Sequence, residues 1–168
     1  MLAHRDYNNI RYLGSISLTV RCMSLKEYRQ KRQFARTPEP AGEEKSGGKT
    51  RFVVQRHQAR NLHYDFRLEM EGVLRSWAVP KGVPPESGIR RLAVQVEDHP
   101  VEYLDFAGTI PDGEYGAGSV EIWDTGTFEI IKDEIDLLEF TLNGKKLSGG
   151  YVLIHTGGRN WLFIKRKK

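Results

Sequence analysis

The chain has few means of being cross-linked or anchored. Its 168 residues include one cysteine, Cys22, which excludes an internal disulfide and any cysteine-built zinc cage. Long hydrophobic runs are missing too. The apolar patch from Ile16 to Val20 is interrupted by Ser17 and Thr19 and closed by Arg21, too short for a membrane span or a signal-peptide core. An excess of one charge is also lacking. The net charge is +4, and the tail Lys165, Arg166, Lys167 and Lys168 accounts for all of it, leaving the remainder near neutral. These absences lead us to expect a soluble, cytoplasmic protein in a reducing compartment, with no membrane partner. A chain of this length can bury a core as one domain without covalent help.

What is present is concentrated in Arg51 to Leu68, RFVVQRHQARNLHYDFRL. From Tyr64 the residues alternate: Tyr64, Phe66 and Leu68 form an apolar face, and His63, Asp65 and Arg67 a polar one. Arg51 to Gln55 is a β-branched and aromatic run, and if it stays extended Gln55 and His57 share a face. The short polar QARN between them can turn the chain back and bring His57 to the His63 side. Two imidazoles and a carboxylate suit a divalent transition metal, and three protein ligands leave positions open for water and substrate. Arg67 adds a planar fork of donors matched to phosphate oxygens. The combination reads as phosphate-ester chemistry, set against the plainer reading of a solvated strand face with cross-strand pairs.

Residues 1–22 show no sustained period and are expected to be disordered, or a non-native extension. Ser24 and Glu27 form a capping box, and the spacing predicts a helix from about Leu25 to Phe34, ended by Pro38 and Pro40. Met23, directly before that cap, is a candidate natural start. Residues 23–168 then form a single domain, with a barrel over about 51–165. The loop AGEEKSGGKT echoes a phosphate-binding loop, but its first glycine is misplaced and a strand follows it.

Leu74 to Val79 and Arg91 to His99 read as strands. In the second, Leu92, Val94 and Val96 form the apolar set and Gln95, Glu97 and His99 the polar one. PDGEYGAG, residues 111–118, is expected to shape turns beside the site. Then come strands at Ser119 to Trp123 and Gly126 to Ile131, a hairpin over Glu139 to Leu147 turning at Asn143-Gly144, and strands Tyr151 to His155 and Asn160 to Lys165. His155 reads as structural or exposed. Many short strands with one helix and glycine-rich turns predict a mainly β fold, a compact antiparallel barrel.

The phrases FVVQRHQARNLHYDFRLEMEGVLRSWAVPKG, RLAVQVEDHPVEYLDFAGTIPDGEYGAGSVEIWDTGTF and WLFIKRK closely resemble the 3'-phosphoesterase domain of bacterial ligase D, which also occurs as a stand-alone protein. The resemblance covers about Ser24 to Lys168. It implies a compact β-barrel and a manganese-dependent hydrolase with one metal site. That activity removes a 3'-terminal ribonucleoside and then the 3'-phosphate, leaving a 3'-hydroxyl for repair by non-homologous end joining. The implied metal ligands are His57, His63 and Asp65, and the implied phosphate contacts Arg67 and His99. Gln55, Glu97 and Tyr103 match further active-site positions, and Lys31, Arg32, Phe34 and Glu39 match an early basic-acidic pattern in which Arg32 and Glu39 approach substrate. Gln33 departs from that pattern, standing where an aspartate is common, which puts the ribonucleoside-removing step in question. No ligase attachment motif K-x-D-G is present, so a DNA ligase and a polymerase are expected to act in trans on primer-template ends.

In this scheme the metal and Arg67 clamp the phosphate, and His99 contacts it or gives a proton to the leaving oxygen. Glu97 orients an imidazole, and Tyr103 offers a hydroxyl. Two other classes stay open on the residues: a non-catalytic module that binds nucleic-acid 3' ends, and a metal-dependent sugar-binding or isomerising barrel of cupin type.

Overall fold

A computed structural model describes residues 25–43 and 50–167. Ser24 of the capping box, the first 22 residues and most of the glycine-rich loop lie outside the described residues, and so do the expectations placed on them. After a short helix α1 (residues 25–30) come nine strands: β1 (Arg51–Gln58), β2 (Leu62–Met70), β3 (Val73–Val79), β4 (Arg90–Pro100), β5 (Gly108–Ile110), β6 (Gly118–Glu134), β7 (Leu137–Gly144), β8 (Ser148–Gly157) and β9 (Asn160–Lys165). A 3-10 turn, Val101–Asp105, follows β4. The helix is shorter than its sequence suggests. The Arg32 guanidinium turns back to donate to the Tyr28 carbonyl at 3.1 Å, satisfying an end carbonyl, and residues 33–36 form a turn instead.

The strands pair in the order β1-β2-β3-β4-β9-β8-β7-β6, and β6 pairs back onto β1, closing an eight-strand antiparallel barrel with β5 added beside β6. β6 closes the barrel because it is long. Its first part pairs with β1 and its last with β7, so the two strands expected at 119–123 and 126–131 are one. Gly126 had the look of a boundary. It is instead a point of close approach, where a Cβ would run into the Asn143 carbonyl of β7.

The barrel interior is filled by side chains, Phe52, Phe66, Trp77, Phe140 and Phe163 among them, all with 0 % exposure. Alternation along β1 splits its residues cleanly: Phe52 and Val54 enter this core, whereas Val53 faces outward into a second cluster with Leu25, Tyr28, Leu74, Tyr103 and Val120. Each large apolar side chain buried there contributes about 1.5–3 kcal/mol, enough to hold α1 and the 3-10 turn against the outer wall. Gln55 and His57 continue the outward face of Val53. The polar crevice therefore lies outside the barrel, under that cover.

β4 reaches the same crevice through an irregularity. Leu92 is 50 % exposed, Ala93 enters the core, and Gln95 accepts the Trp161 indole N–H at 3.0 Å, so Leu92, Val94 and Val96 are not the core-facing set. Leu74 pairs with His99 but Ser76 with Val96, which gives β4 one extra residue there. Because side chains alternate with a period of two, that residue moves Glu97 and His99 to the outer face. Among the described residues no helix is long and apolar enough to cross a membrane.

Candidate metal and phosphate site

The β1–β2 hairpin sets His57 opposite His63, Gln55 opposite Asp65 and Val53 opposite Arg67. One donor atom from each of His57, His63 and Asp65 falls within a 4.8 Å cluster, as the sequence pattern implied. Nδ1 of His57 is 3.3 Å from one Asp65 oxygen, and Nε2 of His63 is 3.5 Å from the other.

The tautomers decide what this cluster can hold. His57 donates its Nε2–H to the Gly116 carbonyl at 2.7 Å, and His63 its Nδ1–H to the Asn61 carbonyl at 3.0 Å. A carbonyl only accepts, so in each neutral ring the remaining nitrogen presents a lone pair to the Asp65 carboxylate. Three acceptors facing one another need a cation or added protons between them, and imidazoles braced by carbonyls are the usual way to orient metal ligands. Burial alone would raise the Asp65 carboxyl, but the Arg67 charge and, where added protons take the place of a cation, hydrogen bonds from the two imidazoles outweigh it and hold the group well below the usual carboxylate range. The Asp65 hydrogen bond raises His63. The residues thus fit a divalent cation.

Arg67 is 3 % exposed, lines the same cavity, and is held from three directions. Its Nε donates to Gln55 Oε1 at 2.7 Å, its Nη2 lies 3.3 Å from Asp65, and its guanidinium packs 4.7 Å from the centre of the Tyr103 ring. Its Nη1 has no partner. A buried charged donor left unpaired is costly unless a ligand supplies the acceptor.

The other expected site residues surround this pair; all but Gln55 line the cavity, and several also hold other side chains. Gln55, with 0 % exposure, donates to the carbonyls of Tyr103 and Phe106, each at 2.9 Å, and so fixes Arg67. Glu39 accepts from Arg32 Nε at 2.8 Å, Tyr103 Oη at 3.0 Å and Thr37 Oγ1 at 2.9 Å. The Tyr103 hydroxyl is thereby committed, and burial raises it further from ionisation. The Glu97 carboxylate takes Arg32 at 3.2 Å and Lys31 at 3.4 Å and accepts from no imidazole. It is the Glu97 backbone carbonyl that accepts His99 Nδ1–H, at 2.8 Å. His99 Nε2 lies 3.3 Å from Arg32 Nη2 and accepts from it. Burial, then the charges of Arg67 and Arg32, push His99 well below its ordinary value, so it is neutral and its outer nitrogen accepts a hydrogen bond instead of offering a proton.

The cavity measures about 340 Å³. The charged side chains on its wall are two arginines, Arg32 and Arg67, against three carboxylates, Glu39, Asp65 and Glu97. That balance alone is unfavourable to an anion. A divalent cation in the His57–His63–Asp65 cluster reverses it.

Tyr115 and Gly116, on the 111–118 loop, also belong to the wall, and Tyr28 packs its ring 4.8 Å from that of His99. Local sequence patterns single out none of the three as a site residue, because each contact spans a long stretch of chain. The sequence did mark their loop as a shaper of the site, and the Gly116 carbonyl plays that part for His57.

The family described as DNA Ligase D 3'-phosphoesterase domain matches residues 55–155. The chain is similar to the multifunctional non-homologous end joining protein LigD of Pseudomonas aeruginosa, with 50 % identity over 155 residues, covering 85 % of this chain and 18 % of that protein. Its likeness to the protein of the same name from Mycolicibacterium smegmatis is 49 % over 156 residues, 85 % of this chain and 20 % of the relative. The multifunctional non-homologous end joining DNA repair protein LigD of Mycobacterium tuberculosis gives 49 % over 149 residues, with the same two shares. The chain spans about a fifth of the length of these curated relatives.

Proposed function

The chain belongs to the DNA ligase D 3'-phosphoesterase domain family, and from that membership and the site geometry we propose that it hydrolyses phosphate esters at nucleic-acid 3' ends, using a divalent metal ion. The observation that carries the reading is the unpartnered, buried Nη1 of Arg67 beside three converging lone pairs. Together they ask for a cation and an oxyanion in contact, which is what a metal-bound phosphate ester provides.

A divalent ion bound by His57, His63 and Asp65 supplies Lewis-acid polarisation of a phosphoryl oxygen. Arg67 donates its free N–H to a second phosphate oxygen, and Gln55 keeps that fork in place. Arg32 is drawn inward by Glu39 and Glu97 and presents its remaining capacity next to His99. His99, neutral and with its Nε2 lone pair taken by Arg32, holds that guanidinium at the cavity wall.

The family resemblance favours manganese as the ion and a reaction of two steps: removal of a 3'-terminal ribonucleoside, then of the 3'-phosphate. The names of the relatives connect this to non-homologous end joining and DNA repair, and the reading takes primer-template ends as substrate and ligase and polymerase activities as partners. Gln33 supplies no negative charge where the family commonly carries an aspartate. We therefore expect phosphate removal to be the stronger of the two steps.

The test is single-turnover incubation of the purified protein with primer-templates ending in a 3'-phosphate or in one ribonucleotide, with manganese or with chelator. Metal-dependent formation of 3'-hydroxyl ends, lost in His57→Ala, is the expected result. Tight binding of both ends with no product would replace the enzyme by an end-binding module.

A further inference from the structure

We propose that Tyr115 is the platform on which the terminal nucleobase of the substrate stacks, and so the residue that selects nucleic-acid ends over other phosphate esters. This deepens the phosphoesterase reading and rests on it. Among the described aromatic residues Tyr115 alone is more than a third exposed, at 47 %, while the other rings are buried or half-buried. It is also part of the wall of the metal and phosphate cavity. An exposed ring in such a place needs an explanation that core packing cannot supply.

Its position is fixed from both sides along the chain. Glu114 forms an ion pair with Arg36 at 3.0 Å, and the Gly116 carbonyl accepts from His57 at 2.7 Å. The ring is thus one residue away from a group that orients a metal-ligating imidazole. Backbone hydrogen bonds from Glu114 to Pro111 and from Ala117 to Glu114 tighten the loop at 3.2 and 3.1 Å. A rigid aromatic ring held in advance loses little freedom on binding, which is what a stacking surface requires.

Charge around the ring points the same way. The Lys31 ammonium lies 5.1 Å from the ring centre and the Arg32 guanidinium 5.3 Å. Cations beside an exposed ring make a surface for a base flanked by phosphates, since the ring meets the base and the cations meet the backbone. Of the two tyrosine rings on the cavity wall, Tyr103 is buried with its hydroxyl committed to Glu39, which leaves Tyr115 as the ring open to a base.

The test compares two primer-templates carrying a 3'-phosphate, one on an ordinary nucleotide and one on an abasic residue, with the wild type, Tyr115→Leu and Tyr115→Phe. Stacking predicts that Tyr115→Leu reduces the preference for the base-bearing end, as a ratio of kcat/KM values, by about tenfold, and that Tyr115→Phe restores it. A ring that only supported the loop or the two cations would lower both substrates together and leave the ratio unchanged, which would overturn the proposal. A second reading uses metal-loaded protein and a primer-template whose 3'-hydroxyl end, with no phosphate left to remove, carries a terminal 2-aminopurine: its fluorescence should be quenched on binding to the wild type and to Tyr115→Phe but not to Tyr115→Leu. Equal quenching by all three proteins overturns stacking. Because binding is read without turnover, absence of hydrolysis by the wild type would count against the enzymatic reading alone.

Discussion

Arg32 Nη2 donates to His99 Nε2 across 3.3 Å, although 67 residues separate them in sequence. With Nδ1–H committed to the Glu97 carbonyl, this contact leaves His99 no nitrogen on which to carry a second proton. Burial and the two neighbouring arginines lower its proton affinity, so the folded protein holds it neutral while the unfolded chain protonates it near 6.5. Unfolding then takes up a proton. The His99 contribution to stability is complete above the unfolded value and is lost as the pH falls from there toward the folded value. Denaturant midpoints taken between about pH 7.5 and about pH 5.5 should fall more steeply for the wild type than for His99→Gln, and parallel curves would refute the assignment.

Gln55 joins the two halves of the site. Its amide donates to Tyr103 and Phe106 carbonyls and accepts from Arg67, all within a fully buried environment. Gln55→Ala leaves the Phe106 carbonyl and one guanidinium N–H without the partner Gln55 gives them, and the Tyr103 carbonyl with the Phe106 N–H alone. Unfolding free energy should drop by about 3 kcal/mol in urea titrations. KM for a 3'-phosphate end should rise by about tenfold as Arg67 loses its brace. Gln55→Glu should fare no better, since a carboxylate cannot donate to the two carbonyls.

Metal binding to the folded chain should show as stabilisation without any substrate. At about 100 times its dissociation constant, manganese should add about 2.7 kcal/mol, a rise of several degrees in the thermal midpoint. Asp65→Asn removes the charge that His57 and His63 converge upon and should abolish the rise. An equal shift in wild type and variant would place the ion elsewhere.

The central hairpin was legible because its information is local. Alternation of apolar and polar residues from Tyr64, and a four-residue turn, are enough to bring His57 opposite His63 and Asp65 beside both. The barrel was legible for the same reason, from many short alternating runs. What stayed hidden depends on partners far away in sequence. The extra residue in β4 that turns Glu97 and His99 outward shows only in its pairing with β3. Glu39, Gln55 and Tyr103 were singled out through family resemblance, but their work as braces for Arg32 and Arg67 required the three-dimensional contacts. Tyr115 carried no local signal at all, since its role comes from a cavity assembled by β1, β2, β4 and the helical cover.

The Asn143-Gly144 pair shows how a local signal can mislead and what corrects it. Both residues end β7, and the turn falls at Lys145, Lys146 and Leu147, because the buried Asp124 carboxylate accepts the backbone N–H groups of all three at 3.0, 3.1 and 2.8 Å. Gly144 is required by the same carboxylate: a Cβ there would come within 2.5 Å of Asp124 Oδ2 and 2.6 Å of the Phe52 ring. Three charge-assisted bonds concentrated on one side chain make Asp124 a determinant of the fold with no contact to the metal cluster. Asp124→Ala should lower unfolding free energy by about 3 kcal/mol, less than the sum of three charged hydrogen bonds because the freed turn can reach water. Asp124→Asn, which keeps one acceptor oxygen, should lie between that variant and the wild type in urea titration. Measured where the variants remain folded, kcat/KM for a 3'-phosphate end should stay within about twofold of wild type, as expected for sites that share no partners. A larger loss of activity would mean that the turn and the cavity are coupled through β1, where Val54 pairs with Asp124 next to Gln55.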